Sequence, residues 1–239
     1  MKHQDHVLFA TIASAYYTKT RDEIIERIKL RDSAMSLFLS SISIIGSVYG
    51  GLIAFLGADT STIFYGSYLL VVICLQCRSA ASVISQHHVL IGAGEHFLVT
   101  EFDKIIRQKS VNIPQWDLSQ TMLESKNFSI LSRAKGHQML IVQVAGISAM
   151  GFIVLQLIFG PHFNVIQSIF GLNSDNVTSG NILEVVFSVF ATFIALLAVN
   201  AAHKTLSNAS DTRRKYLKGM QLYVDEKIFP ESEVPYVHR

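Results

Sequence analysis

The sequence predicts an all-α membrane protein in which four transmembrane helices form two helical hairpins with helical cytosolic extensions. Half of the 239 residues are hydrophobic, only 16% are charged, and the apolar residues are concentrated in four uncharged blocks of 18 to 24 residues. A soluble domain carries about 25% charged residues. A helix of about 20 apolar residues crosses the hydrocarbon core and about 17 is the lower limit, so each block is long enough.

The positions of the four blocks predict how the chain is divided. The blocks are residues 35–58, 60–77, 138–160 and 185–202. The predicted segments are cytosolic N-terminal helices at 1–34, a first transmembrane hairpin at 35–82, a cytosolic helical region at 83–137, a second transmembrane hairpin at 138–202 with an outer interfacial loop at 161–180, and a cytosolic C-terminal helix and tail at 203–239. Within the first segment, Thr20 and Glu23 fit a capping box, which predicts a helix start there.

The basic residues predict the orientation, because cytoplasmic loops near membrane spans retain Lys and Arg. All 20 basic residues lie before the first block, between the second and third, or after the fourth. We therefore expect a multi-pass protein of the inner (plasma) membrane with both termini in the cytoplasm. The basic excess favours contact with anionic membrane lipid. Only Arg213-Arg214-Lys215 hints at a nucleic-acid patch, so direct nucleic-acid binding is not expected.

Small residues form stripes on the first and fourth blocks, at steps of three or four residues. Such stripes permit close approach of helices in lipid. They are predicted to pack helices within one subunit or between subunits, and four spans with two stripes favour a homo-oligomer. The predicted packing residues are Ser43, Gly46, Ser47, Gly50, Ala191, Ala195 and Ala198. In the second block, Cys74 and Cys77 are predicted to be packing residues rather than a redox pair.

A heptad stripe follows the second block. Isoleucine or leucine recurs every seven residues from Ile84 to Ile105, which indicates a helix face that packs against another helix. A cytosolic protein partner is therefore expected on this face. The predicted partner-binding or regulatory residues are His88, Ile91, Glu95, Leu98, Phe102 and Ile105.

Histidines and a glutamate near the same stripe suggest a metal site as an alternative. Its candidate ligands are His87, His88, Glu95 and His96. Seven residues separate His88 from Glu95, about 10.5 Å along a helix at 1.5 Å per residue, which is too far for one ion. A break at Gly92-Ala93-Gly94 would bring these side chains closer. We favour a structural or regulatory role with no metal or cofactor.

Few polar residues lie within the apolar blocks. Glu184, near the outer end of the fourth block, would form a cation-attracting ring in an oligomer, or it is a solvated interfacial carboxylate. The sequence contains no phosphate-cradling glycine loop and no G-x-S-x-G motif.

The predicted function is therefore non-enzymatic. We expect an oligomeric inner-membrane protein that couples a cytosolic partner or signal to the membrane, as a pore-forming or sensor subunit. The architecture is similar to that of small four-span bacterial effectors and membrane subunits of antiviral defence systems, a likeness of architecture alone. The alternative is a membrane-embedded, metal-dependent, lipid-modifying enzyme that uses the histidine–glutamate cluster.

Overall fold

The computed structural model describes the backbone of residues 2–108, 120–160 and 179–227, and the side chains of residues 7–106, 136–160 and 182–223. The described backbone is helical and contains no strand. The interfacial loop predicted at 161–180 lies outside the described residues, except for Ser179 and Gly180, which begin the last helix. The predicted C-terminal tail after Lys227 also lies outside them.

Six α-helices and one π-helical turn make up the described chain. They are α1 (Lys2–Leu56), α2 (Thr60–Gly66), α3 (Tyr68–His96), the π-helical turn Phe97–Phe102, α4 (Asp103–Gln108), α5 (Gln120–Phe159) and α6 (Ser179–Lys227). Four helical stretches are long and apolar enough to cross a membrane. An all-α chain with four potential membrane-spanning helices is therefore confirmed.

Helix α1 is longer than the sequence suggested, because it runs through the predicted capping box without a break. The hydroxyl of Thr20 donates to the carbonyl of Tyr16, four residues earlier, at 3.0 Å. Since this hydroxyl bonds within the helix, it does not cap a new one, and the predicted helix start at Thr20 is wrong. Helix α1 ends at Leu56, and the next residue, Gly57, has a positive φ of 91°, a left-handed conformation that suits glycine and commonly terminates helices.

A local irregularity at Ser67 separates α2 from α3. The Leu70 amide donates to the carbonyl of Ser67, and the Ser67 hydroxyl donates to the carbonyl of Phe64. The side-chain amide of Gln156, from α5, donates to the Ser67 hydroxyl at 2.8 Å and to the Phe64 carbonyl at 3.4 Å. Backbone groups freed by a helix break must be satisfied within the protein when water is absent. The buried Gln156 supplies that bond.

The chain forms two compact units. The polar unit comprises Met1–Ser33, Ile84–Gly136 and Ser207–Arg239, and the apolar unit comprises Ala34–Val83 and His137–Leu206. Helices α1, α3, α5 and α6 each contribute residues to both units.

The core of the apolar unit is built from small residues of α6 packed against larger side chains. The buried core residues are Val71, Cys74, Ala149, Phe152, Ala191, Ala195 and Ala198. The thiol of Cys74 lies 3.5 Å from the carbonyl oxygen of Ala145. Both cysteines are buried and unbonded to one another. Small residues let the helix backbones approach closely, which strengthens dispersion contacts in a setting without a hydrophobic driving force.

The core of the polar unit joins α1 to α3 and the π-helical turn. Its buried residues are Ala13, Ile24, Ile91, Leu98, Phe102 and Ile106. Aromatic rings extend this core, with Tyr17 and Phe102 centroids 5.8 Å apart and Tyr16 and Phe97 centroids 6.1 Å apart. Burial of large apolar side chains is the main stabilising contribution here, about 1.5–3 kcal/mol for each fully buried residue.

The π-helical turn changes which residues belong to the heptad stripe. A π turn has one residue more than an α-helical turn, so the side chains after it are shifted by one position. Ile84, Ile91 and Leu98 are buried, as the stripe requires, but Ile105 is 47% exposed and the next residue, Ile106, is buried in its place. The heptad therefore ends at the π turn, and Ile105 lies off the face that the sequence pattern assigned to it.

Candidate functional site

Two glycines of α3 let neighbouring helices approach closely in the polar unit. A Cβ atom at Gly92 would lie 2.7 Å from Cδ of Arg213, and a Cβ atom at Gly94 would lie 3.0 Å from Cγ1 of Ile24. A side chain at either position would thus displace a neighbour from α6 or α1. The helix continues through both glycines to His96. The break considered at Gly92-Ala93-Gly94 is absent, and the glycines serve close packing instead.

Arg213 fills the space that Gly92 leaves and forms a buried ion pair with Glu95. Arg213 is 0% exposed and Glu95 is 6% exposed. The Arg213 Nη2 atom donates to Glu95 Oε2 at 2.6 Å, and Nη1 donates to the backbone carbonyl of His88 at 3.4 Å. Its Nε atom is buried without a hydrogen-bond partner. Burial lowers the pKa of the Arg213 guanidinium, and the Glu95 carboxylate opposes that shift.

A second set of polar contacts joins the same helices further along. The Tyr223 hydroxyl donates to the carboxylate of Asp103 at 3.0 Å, and the Lys104 ammonium lies 5.5 Å from the centroid of the Tyr223 ring. Between the two sets, the His96 ring lies 5.4 Å from that of Tyr216. In these contacts, later residues of the α3–α4 segment pair with later residues of α6, so the two segments run parallel in the polar unit.

The four candidate metal ligands do not share one centre. Glu95 faces Arg213, whereas His96 packs on Tyr216 and its Nδ1 lies 3.4 Å from the Thr100 hydroxyl. His87 lies in the field of Arg27 and Arg31, which add to burial in lowering the pKa of its imidazole. Among the residues that the structure describes, no three His, Cys, Asp or Glu side chains are grouped as metal ligands. The metal-dependent enzyme hypothesis gains no geometric support from these contacts.

The predicted partner-binding stripe is largely occupied within the chain. His88, Ile91, Glu95, Leu98 and Phe102 are all buried, the apolar ones against α1 and the charged one against α6. The helices that pack against this stripe are thus α1 and α6 of the same chain. Of the six residues, Ile105 remains exposed.

Sequence reasoning missed Arg213 as a site residue, because it was grouped with Arg214 and Lys215 as a basic patch. The structure separates this run, with Arg213 buried and its two neighbours exposed. A signal was present in the sequence: Arg213 falls in line with the buried Ala209 and Leu217, four residues away on either side. An arginine inside an apolar helical stripe indicates a buried charge that needs a partner.

The two small-residue stripes face opposite environments in the apolar unit. On α6, Ala191, Ala195 and Ala198 are buried in the core. On α1, Ser43, Gly46, Ser47 and Gly50 are exposed, and a Cβ atom at either glycine would meet nothing within 4 Å. The inward face of α1 carries larger side chains instead, including the buried Met35 and Phe38.

Glu184 is hydrogen-bonded within the chain. The hydroxyl of Tyr65, from α2, donates to Glu184 Oε1 at 2.6 Å. Tyr65 is exposed and Glu184 is partly exposed. The carboxylate is therefore held by one neighbour while part of it stays accessible. Its predicted role in a pore stays a prediction.

The chain matches no protein-family model, no curated protein and no solved structure in the three comparisons made.

The buried ion pair generates a stability prediction. Glu95→Gln or Arg213→Gln is expected to lower the free energy of unfolding by about 3–5 kcal/mol, because either change leaves one charge buried and unpaired. The combined replacement Glu95→Leu and Arg213→Met should recover most of that loss. The measurement is denaturant or thermal unfolding of the detergent-solubilised protein.

Arg214 provides the matched control for this prediction. Arg214 lies next to Arg213 but is exposed, at 3.8 Å from Asp211. Arg214→Gln should change stability by about 1 kcal/mol or less, as is usual for surface pairs. Equal stability of the Arg213→Gln and Arg214→Gln proteins would contradict the assignment of a buried pair.

Proposed function

We propose that the protein is an oligomeric inner-membrane protein that couples a cytosolic partner or signal to its membrane-spanning helices. The observation that carries this proposal is the buried Glu95–Arg213 pair between α3 and α6. Helix α6 continues without interruption from this pair into an apolar stretch long enough to cross a membrane, and α3 belongs to a second such stretch that also includes α2. A change in the register of the two helices at the pair would be carried along them, because packed helices behave as rigid elements.

The ion pair is suited to a switch between two arrangements. A buried pair is stable only while both partners are present and correctly placed. A partner protein, a bound ligand or a proton that altered either group would favour a different packing of α3 against α6. Shifts of helices by 1–2 Å are a common form of switching in proteins. A pore or sensor role follows if the apolar helices respond to such a shift.

The contacts within each unit support a two-hairpin topology. In the polar unit α1 runs antiparallel to α3, since Tyr16 lies near Phe97 whereas Ile24 lies near Gly94. In the apolar unit α5 runs antiparallel to α3, since Cys74 contacts Ala145 and Ser67 contacts Gln156. Helices that alternate in direction along the sequence are expected in a chain that crosses a membrane four times.

Cysteine labelling tests the proposed topology with both termini inside. Cys74→Ala and Cys77→Ala remove the two native thiols, and single cysteines are then placed at Asp59 or Ser125. A membrane-impermeant maleimide added to intact cells should label the cysteine at position 59 and not that at position 125, because basic segments stay in the cytoplasm. Labelling of position 125 from outside would contradict the orientation.

The exposed small-residue face of α1 supports the homo-oligomer. A stripe of small residues gives lipid few contacts but lets a second helix pack closely. Gly50→Leu is therefore expected to reduce the mass of the detergent-solubilised complex while leaving the unfolding temperature of the chain unchanged. Native mass spectrometry measures the first quantity and differential scanning fluorimetry the second.

The corresponding control lies on α6. Ala195 is fully buried within the chain, so Ala195→Leu should overpack the core and lower the free energy of unfolding by about 1–3 kcal/mol. A Gly50→Leu protein with the native complex mass, or a monomeric wild type, would contradict the oligomer proposal.

Potassium release from liposomes tests the coupling and the pore role together. Wild-type protein is reconstituted in potassium-loaded vesicles, and release is followed with a potassium indicator. Tyr223→Phe removes the bond to Asp103 without creating an unpaired buried cation. We expect release to differ by about fivefold or more from wild type, since a coupling of about 1 kcal/mol gives that factor. Arg214→Gln should behave as wild type, and equal retention in all three samples would contradict a pore.

A further inference from the structure

A cavity of about 330 Å³ lies in the polar unit, between the N-terminal part of α1 and the end of α3. Its apolar lining includes the side chains of Tyr16, Ile24, Leu90 and Phe97. Small residues at Ala93 and Gly94 open the space, because a larger side chain there would fill it. Tyr16 and Leu90 are about half exposed, so the cavity is accessible from outside.

The other end of the cavity is polar. Arg27 and Glu23 line it and contact each other at 3.3 Å, one turn apart on α1. Both side chains are partly exposed, and such a surface ion pair contributes little to stability. Separating Glu23 from Arg27 would therefore cost little stability. Thr20 also lines the cavity, but its hydroxyl is already bonded to the Tyr16 carbonyl.

Two arginines of α1 act on a histidine next to this polar end. His87 lies one turn before Leu90 on α3, and the charges that act on its imidazole are those of Arg27 and Arg31. Burial and both guanidinium groups lower the pKa of this imidazole. Arg31 is itself paired with Asp32, at 2.9 Å. Arg27 lines the cavity and Arg31 does not, so the guanidinium of Arg27 is the group best placed to receive an anion.

We propose that this cavity binds a single-chain amphiphile, with its alkyl chain against Tyr16, Leu90 and Phe97 and its phosphate or carboxylate headgroup on Arg27. A guanidinium binds such groups through two parallel hydrogen bonds. The volume lies at the lower end of the range of about 300–1,000 Å³ for ligand pockets, which suits one chain rather than a two-chain phospholipid. The proposal names the class of signal in the proposed function, but the binding does not depend on coupling or on a pore.

Photolabelling tests the proposal on the full-length protein in phosphatidylcholine nanodiscs. The probe is dodecyl phosphate with a diazirine on its chain, and the matched neutral probe is the corresponding dodecanol. Peptide mapping should find adducts on the segments that contain Tyr16, Leu90 and Phe97. The phosphate probe should label at concentrations about tenfold lower than the alcohol, because loss of one charge-assisted contact has roughly that effect.

Two pairs of variants separate the headgroup from the chain. Arg27→Gln should weaken phosphate-probe labelling about tenfold, whereas Lys29→Gln, at an exposed position two residues further along the same helix, should not. Ala93→Trp should abolish labelling by filling the cavity, whereas Gln86→Trp on the exposed side of α3 should preserve it. If the Ala93→Trp protein does not fold, the Arg27→Gln protein still tests whether the headgroup binds at this site.

Three results would overturn the proposal. They are equal labelling by the phosphate and alcohol probes, adducts that are unaffected by both Arg27→Gln and Ala93→Trp, and displacement of the probe by phosphatidylglycerol included in the nanodisc. The last result would assign the site to a bilayer lipid. Because no ion flux is measured, failure here leaves the potassium-release test of the proposed function unaffected.

Discussion

The ion pair between Glu95 and Arg213 constrains the packing of α3 against α6 in the polar unit. A guanidinium keeps its charge even with no exposed surface, and an isolated buried charge is far less stable than a paired one, so Arg213 requires the Glu95 carboxylate. The pair requires glycine at position 92, because any Cβ atom there would collide with the arginine side chain. It also fixes the register of α3 against α6. The contact of Asp103 with Tyr223, further along both helices, follows from the same register.

Small residues serve two different purposes in the apolar unit. The alanines of α6 allow α3 and α5 to approach within the chain, and they account for much of its buried core. On α1, a Cβ atom at Gly46 or Gly50 would meet nothing within 4 Å, Ser43 and Ser47 are exposed, and both hydroxyls bond to the carbonyls four residues earlier. Because those donors are satisfied locally, the face is compatible with lipid or with a second helix. Its composition favours the second helix.

Part of the site was predictable and part was not. The sequence pattern correctly placed Ile84, Ile91 and Leu98 on one buried face, because an α-helix repeats closely enough every seven residues. It failed at Ile105, because no local signal marks the one-residue shift of a π turn. It also missed Arg213, whose role depends on a carboxylate 118 residues earlier in the chain. The glycine triplet was recognised as unusual, but its meaning depended on what packs against it.

The sequence by itself determined that this chain is helical and that four of its helices are long and apolar enough for a membrane, because both properties depend on local composition and length. Only the tertiary structure decided which faces meet. It placed one small-residue stripe inside and the other outside, and it paired Glu95 with Arg213 rather than with the histidines beside it. The physical reason is that helix periodicity reveals which residues share a face, whereas the partner of that face is fixed by packing between segments far apart in the chain.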